Sequence, residues 1–508
     1  MPLTMLKELP RGASLTMFLC GGVAEALFLV MMGLKIISLP LGFDEYFHAH
    51  YLWLVSIGRI PHVDFWCHYP SLGYVMTRPF FRLLPESIYA VFALRFFGMF
   101  FFLGTLAALA YHAQRLRADW LWGVLPLAAM LTPDVAMLVV NFRTDTYAAL
   151  AAILALTIMF RNPTPPRSAL AAGLAALSVI IMPKYVYPLL FALIAYCGYL
   201  WFNEKGRRRS LILPAAAGGA IAVILTQSLL LTSRLWLWDD LFWSPVLMQR
   251  FFSHCAKTET SLTTQLSTVA SYFLENWWVA ILVLAGVSGW LIVESKHKGV
   301  RLWVGSGIIA GLAVFWGTCK MPFLQYFIPG LFCFALYVPY AFVLLKRPVF
   351  QFAATIVLIG LCMLMVIKNA KVINADLASQ VASEDFKVRQ ELLDHLPRSE
   401  RVVGFVWTHP CFREDQTFVT WDEAWGEPRG FVPILPKNSR AYACFQPEYL
   451  EQSLEQSSPP SWIAIDSTHC PPGWSQLLST YLDRHAALYR KALFKGFDVY
   501  VRNDLFPR

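Results

Sequence analysis

The chain has 508 residues, 57% of them hydrophobic and only 15% charged, with a mean hydropathy of +0.50, whereas soluble domains carry about 25% charged residues. Disordered, collagenous and disulfide-rich secreted classes are excluded. The formal charge of +9 is spread over residues between apolar runs rather than gathered in a compact Lys/Arg-rich module with interleaved aromatics, so nucleic acid is not expected as a partner.

Uncharged runs of Leu, Ala, Phe and Val recur from Ala13 to Ile367, the pattern of an α-helical polytopic membrane protein, at about 20 residues per crossing. Eleven segments are predicted as transmembrane helices: 13–40, 87–111, 120–140, 146–160, 168–183, 185–202, 211–232, 277–293, 302–319, 323–345 and 349–367. Alternate connections carry Lys7 and Arg11, Arg115 and Arg117, Arg161 and Arg167, Lys205 with Arg207 to Arg209, Lys296 with Lys298 and Arg301, and Lys346 with Arg347. Short basic loops stay cytoplasmic. That places the N-terminus inside and the loops 41–86 and 233–276, with everything after Lys368, outside. The first apolar run has no small-residue cleavage site and is expected to remain as a span.

Charge divides near residue 371. Residues 372–508 hold 14 Lys+Arg against 18 Asp+Glu, leaving 28 against 15 for residues 1–371, so a basic membrane domain (1–371) and an acidic, soluble extracytoplasmic domain (372–508) are predicted. The tail reads as α/β: a helix at 375–396, a strand from Arg401 to Thr408, a helix at 447–456, a strand from Trp462 to Asp466, a helix at 474–487 and a hairpin over 488–502 turning at Lys495-Gly496. Cys411, Cys444 and Cys470 fall in this domain, where one disulfide and one free thiol are expected, with the pairing open. The remaining cysteines show no metal-binding spacing.

The densest polar patch of the membrane part is the loop from Gly42 to Pro70, with Asp44, Glu45, Asp64 and four of the chain's eleven histidines. If Asp44 opens a helix, its carboxylate sits at the positive end of the dipole, with His48 and Tyr51 following on its face. Leu52, Trp53 and Val55 give that helix an apolar surface suited to lying flat in the membrane interface. A carboxylate held there suits a general base acting on a hydroxyl; the structural alternative is a simple helix cap. Arg143 and Asp145 in the second outward loop, together with Arg95, Lys184 and Lys320 near outward helix ends, are costly at such depth unless paired or used. Together the cations suit a phosphate diester whose charge grows as it departs. Asp44 with His48 and Asp64 with His68 each place two metal ligands at i, i+4, but no third ligand is fixed, so no cofactor is expected and a divalent metal is not favoured.

Three features in order carry a resemblance: Asp44-Glu45 after the first span, Gly58-Arg-Ile-Pro-His-Val-Asp-Phe65, and His68-Tyr-Pro70. Ala-Leu-Arg95-Phe-Phe-Gly, Arg143-Thr-Asp145 and Lys320-x-x-x-x-Gln-Tyr326-Phe-Ile-Pro329 follow. The chain resembles, over about residues 13–367, the polytopic GT-C glycosyltransferases, nearest to the lipid A aminoarabinose transferases, protein O-mannosyltransferases and bacterial galacturonosyltransferases of lipopolysaccharide core. The resemblance implies inverting transfer of a sugar from a polyprenyl-phosphate carrier to a hydroxyl of a lipid, glycan or protein acceptor at the outer face of a cell membrane; compact loops and little low-complexity sequence fit a bacterial inner membrane best, with a reticulum membrane as the alternative. It implies Asp44 as base, Glu45 and Asp64 as orienting groups, and Arg143, Asp145, Lys184, Lys320, Tyr326 and His68 as the donor- and phosphate-binding set. Where the family reads Arg-Tyr this chain has Gln325-Tyr326, and Lys320 is the substitute cation. A secondary transporter is the alternative; it predicts inverted repeats and ionisable groups at the midplane, whereas here the ionisable groups gather at one face.

Overall fold

The computed structural model describes residues 11–65, 67, 69–241, 262–318, 324–404, 408–416, 437–438, 443–444, 446–456, 458–465, 473–494 and 497–505. Among them, eight helices are long and apolar enough to cross a membrane: Leu15–Ser38, Ala90–Arg115, Pro183–Asn203, Arg208–Leu231, Trp277–Ser295, Val300–Thr318, Leu324–Leu344 and Pro348–Ser379. The helices Asp145–Met159 and Pro165–Ile181 are apolar but shorter. The segment expected as one span over 120–140 is instead two helices, Leu121–Met130 and Pro133–Val140, bent by 105°. Pro133 supplies no N–H and drives Thr132 to extended backbone (ψ 159°), so the first helix ends and a second begins at the proline. All eleven apolar segments are helical, and the protein is a multi-pass membrane protein.

The residues fall into two compact units. Unit 1 takes the described residues within Met1–Leu39, Arg95–Thr226 and Thr260–Ser379; unit 2 takes those within Pro40–Leu94, Gln227–Glu259 and Gln380–Arg508.

In unit 1 the helices Val186–Asn203 and Val300–Thr318 pack backbone to backbone. Gly307 and Gly311, four residues apart, form the contact: a Cβ on Gly307 would stand 2.5 Å from the Phe191 carbonyl oxygen and one on Gly311 2.4 Å from that of Tyr187. Small residues at this spacing let apolar helices approach closely where hydrophobicity gives no drive to associate. Arg95, expected among the phosphate-neutralising cations, has another task. It is fully buried, and its Nη1 donates to the carbonyls of Ile36 (2.5 Å) and Leu39 (2.9 Å). These lie at the end of the first span, where helix carbonyls lose their intrahelical donors and a cation is favourable.

Unit 2 is built on a five-stranded sheet in the order β2-β1-β3-β5-β4: β1 Arg401–Val403, β2 Glu414–Asp415, β3 Trp462–Ala464, β4 Tyr489–Phe494 and β5 Phe497–Arg502. β1 runs parallel to β2 and β3, while β5 runs antiparallel to β3 and β4. Val402, Ile463, Val499 and Val501 of the sheet pack with Leu450, Trp474 and Leu478 of the helices Pro447–Gln456 and Trp474–Arg484. The tail elements begin where periodicity puts them, although the strand expected to Thr408 is strand only to Val403 and the turn Lys495-Gly496 lies outside the described residues, and there are two further differences. The helix expected over 375–396 is broken: Pro348–Ser379 stops at left-handed Gln380 (φ 54°) and Val381–His395 follows. The strand β2, of two residues, is too short to show a period. Cys411 is a buried free thiol and so takes no part in the expected disulfide, Cys444 is buried, and Cys470 lies outside the described residues.

The loop after the first span belongs to this unit with the tail. Arg59 grips Glu414 bidentately (Nε–Oε1 2.5 Å, Nη2–Oε2 2.7 Å), Arg413 reaches Glu86 at 2.8 Å, and Ser87 Oγ donates to Gln390 at 2.8 Å.

Gly311→Val forces the Val186–Asn203 helix away by more than either backbone can yield, and is expected to cost about 3 kcal/mol, the upper end for overpacking. Thermal unfolding of the detergent-purified variant beside wild type measures it; an unchanged Tm refutes the tight contact.

Candidate active site

Three breaks between apolar helices in unit 1 bring their polar residues together. Arg143 lies in the turn between Pro133–Val140 and Asp145–Met159, Lys184 in the 3₁₀ turn Pro183–Tyr185, and Gln325 in the 3₁₀ turn Leu324–Tyr326. Asp145 opens its helix, where the dipole favours a carboxylate. Arg143 Nε donates to Asp145 Oδ2 at 3.0 Å, Lys184 Nζ pairs with Asp145 Oδ1, Arg143 Nη2 donates to Gln325 Oε1, and Lys184 Nζ reaches the Gln325 carbonyl at 3.4 Å. Arg143 and Asp145 are each 1% exposed. Two cations share one carboxylate, so the cluster keeps an excess positive charge with little water to screen it, the electrostatic condition for holding an anion. Tyr326 follows Gln325, half-buried, its ring edge-on to Phe315 at 5.9 Å. Lys320 lies outside the described residues.

An apolar cavity of about 440 Å³ opens among the helices Pro165–Ile181, Val186–Asn203 and Arg208–Leu231 of the same unit. Its lining includes Val179, Ile180 and Val186, which flank the turn carrying Lys184.

In unit 2 the expected helix exists as Phe43–Ser56, with Asp44 and Glu45 in its first turn. Gly42 precedes it in extended conformation, and Glu45 Oε2 accepts the Gly42 N–H at 3.3 Å; glycine has no side chain to return the bond, so half of a capping box is present. The helix is enclosed rather than flat on a surface: Leu52, Trp53 and Val55 are each at most 1% exposed. Asp44 stays half-buried, and its Oδ1 accepts the Tyr69 hydroxyl at 2.9 Å. The Tyr69 ring stacks on His48 at 4.2 Å, and the Tyr74 hydroxyl lies 2.8 Å from His48 Nδ1. Burial, reinforced by nearby Cys67, Tyr69, Tyr51 and Asp240, pushes the Tyr74 phenol well above its ordinary range. Tyr74 therefore stays neutral, and its hydroxyl shares one hydrogen bond with His48 Nδ1, the tautomer of the ring setting which of the two donates. Through Tyr69, Asp44 is joined to an aromatic train, Tyr69 to His48 to Tyr74.

The other loop carboxylate is not joined to this train by any described contact. Asp64 is exposed and its Oδ2 accepts the Ile60 N–H at 2.7 Å, closing a turn. His68 lies outside the described residues. Sequence reasoning missed Asp240. Fully buried, it accepts the Ser71 N–H with both oxygens (3.0 and 2.8 Å) and His62 Nε2 at 3.2 Å, anchoring the start of the helix Leu72–Phe81. Its only sequence signal was an acidic pair in an aromatic-rich segment, and its partners lie 169 and 178 positions away.

Asp240→Ala strands the buried Ser71 N–H and is expected to cost about 2–3 kcal/mol. The Tm of the purified variant reads this, and a shift within error of wild type refutes the anchor.

No family model and no curated protein matches this sequence. In fold the chain is similar to ArnT from Cupriavidus metallidurans, whose crystal structure is bound to undecaprenyl phosphate. The TM-score is 0.55 at 11% identity, covering 96% of this chain and 99% of that one. At that identity the likeness shows the fold alone, a polytopic helical membrane architecture with a C-terminal α/β module.

Proposed function

We propose that the protein is a membrane glycosyltransferase that moves a sugar, with inversion, from a polyprenyl-phosphate donor to a hydroxyl of a lipid, glycan or protein acceptor. The observation that supports this most is the buried Arg143–Asp145–Lys184 cluster, in a fold whose solved neighbour was crystallised with undecaprenyl phosphate. No comparison favours the transporter alternative.

Asp44 takes the acceptor hydroxyl proton, the oxygen attacks the anomeric carbon, and the carbon–oxygen bond to the carrier phosphate breaks with its electron pair leaving on the phosphate. Arg143 and Lys184 meet the growing negative charge; Asp145 keeps the two cations aligned while cancelling only one of their charges. Lys320, Tyr326 and His68 complete the donor set by the resemblance of their motifs. Glu45 and Asp64 act through the backbone they bind, at the first turn of the Asp44 helix and in the turn that follows it. The apolar cavity beside the Lys184 turn suits the carrier's isoprenoid chain. The acceptor side is the outer face of the membrane, the N-terminus lies in the cytoplasm with the tail outside, and a bacterial inner membrane is the expected location.

Membranes bearing wild type, Asp44→Asn or Arg143→Gln are given a radiolabelled panel of polyprenyl-phosphate sugars. Wild type is expected to transfer label, Asp44→Asn to lose roughly 10²–10⁴-fold in rate with normal insertion, and Arg143→Gln roughly 10²–10³-fold. Equal transfer by Asp44→Asn removes the base from this position; consumption of no carrier sugar by wild type refutes the glycosyltransferase.

A further inference from the structure

The helix that carries Asp44 also carries His50, and His50 takes no part in the Asp44 train. It is fully buried beside His409 and Asp415, all within unit 2. His50 Nε2 lies 2.9 Å from Asp415 Oδ2, and His409 Nε2 lies 3.2 Å from Asp415 Oδ1. One ligand atom from each of the three residues falls within 4.8 Å of the others. The side chains of His50 and His409 are 0% exposed and that of Asp415 7%. Tyr46 stacks on His50 at 5.6 Å and Trp53 at 6.0 Å, so the polar atoms face inward from an aromatic wall.

The backbone of Cys411 sets the ring protons. Cys411 adopts a left-handed conformation (φ 69°), uncommon and strained for a residue with a side chain, and it thereby offers both its polar groups to the cluster. Its carbonyl faces His50 Nδ1, so that nitrogen carries a hydrogen; its N–H donates to His409 Nδ1 at 3.0 Å, so that nitrogen carries none. With both rings neutral the arrangement is poor. A neutral His50 turns the Nε2 lone pair toward a carboxylate oxygen. The hydrogen of a neutral His409 sits on Nε2, which, despite its 3.2 Å approach to Asp415, is off the line a hydrogen bond requires and has no other partner. A positive centre among the three atoms removes both faults.

We propose that His50, His409 and Asp415 bind a divalent first-row metal ion, zinc by the N₂O character of the set. On binding, His50 Nε2 and Asp415 donate lone pairs, and His409 Nε2 gives up its proton to solvent and donates the pair left behind. The ring nitrogen facing Cys411 N–H continues to accept that bond. One carboxylate and one deprotonated ring balance the two charges of the ion, so the buried site is neutral. Cys411 C=O against His50 Nδ1 is the outer contact that orients a metal-bound imidazole. The ion staples the helix Phe43–Ser56, and with it Asp44, to the 409–415 segment of the tail.

The test uses the full-length protein in detergent, stripped with a chelator and titrated with zinc. Wild type is expected to take up about one equivalent with a rise in Tm, and with cobalt in place of zinc to show the visible d–d bands of a low-coordinate ion. His409→Gln and Asp415→Asn each reduce uptake to below about a fifth of an equivalent, and their Tm no longer responds to zinc. Failure of stripped wild type to bind zinc or cobalt overturns the proposal, whatever the variants do. Undiminished uptake by both variants overturns it as well, by placing the ion elsewhere. None of these readings depends on transfer activity, so the metal site and the proposed reaction stand or fall separately.

Discussion

A charged side chain among apolar helices must find an opposite charge or a row of carbonyls, because neither water nor hydrocarbon is there to accept it. Unit 1 answers this requirement in two ways. Arg95 caps the end of the first span through the Ile36 and Leu39 carbonyls, and Lys35 donates to the Pro133 carbonyl at 2.7 Å. These cations are spent on helix ends. Arg143 and Lys184 instead divide a single carboxylate, the arrangement from which the proposed carrier site is argued.

Irregular backbone is the structural means. Arg143, Lys184 and Gln325 all sit where one apolar helix stops and another starts, at a turn or a 3₁₀ segment. Broken helices free polar groups that intact helices consume in their own ladders. Close packing such as that at Gly307 and Gly311 holds the surrounding helices, so the breaks occur in a stiff frame.

Unit 2 rests on pairings far apart in sequence. The helix Phe43–Ser56 places Asp44 at its start, His48 against Tyr69 and Tyr74, and His50 against residues near 411–415. Arg59 with Glu414 and Arg413 with Glu86 tie the same two stretches again. The loop is ordered by the tail's residues rather than by its own propensity, which is why a helix with Leu52, Trp53 and Val55 on one side reads locally as interfacial yet is enclosed.

The periodic features were legible from local sequence. Apolar runs marked all eleven helical segments, and alternation with turn residues marked the strands Trp462–Ala464 and Phe497–Arg502. So were the intramembrane charges: Arg143, Asp145 and Lys184 stand out in the sequence, and the structure brings them together. What sequence alone could not assign was the partner of each charge. Arg95 reads like Lys184 until the Ile36 carbonyl is seen beside it; Asp240 looks like surface acid until Ser71 is found 169 residues away; and His50, His409 and Asp415 share no spacing at all. Hydropathy and period act over a few residues, so the chain itself determined its helices, its membrane character and the polar residue types available to a site. Pairing energies act between atoms a few ångströms apart whatever their separation along the chain, so only the tertiary structure decided which charges cap helices, which anchor loops and which gather around one carboxylate.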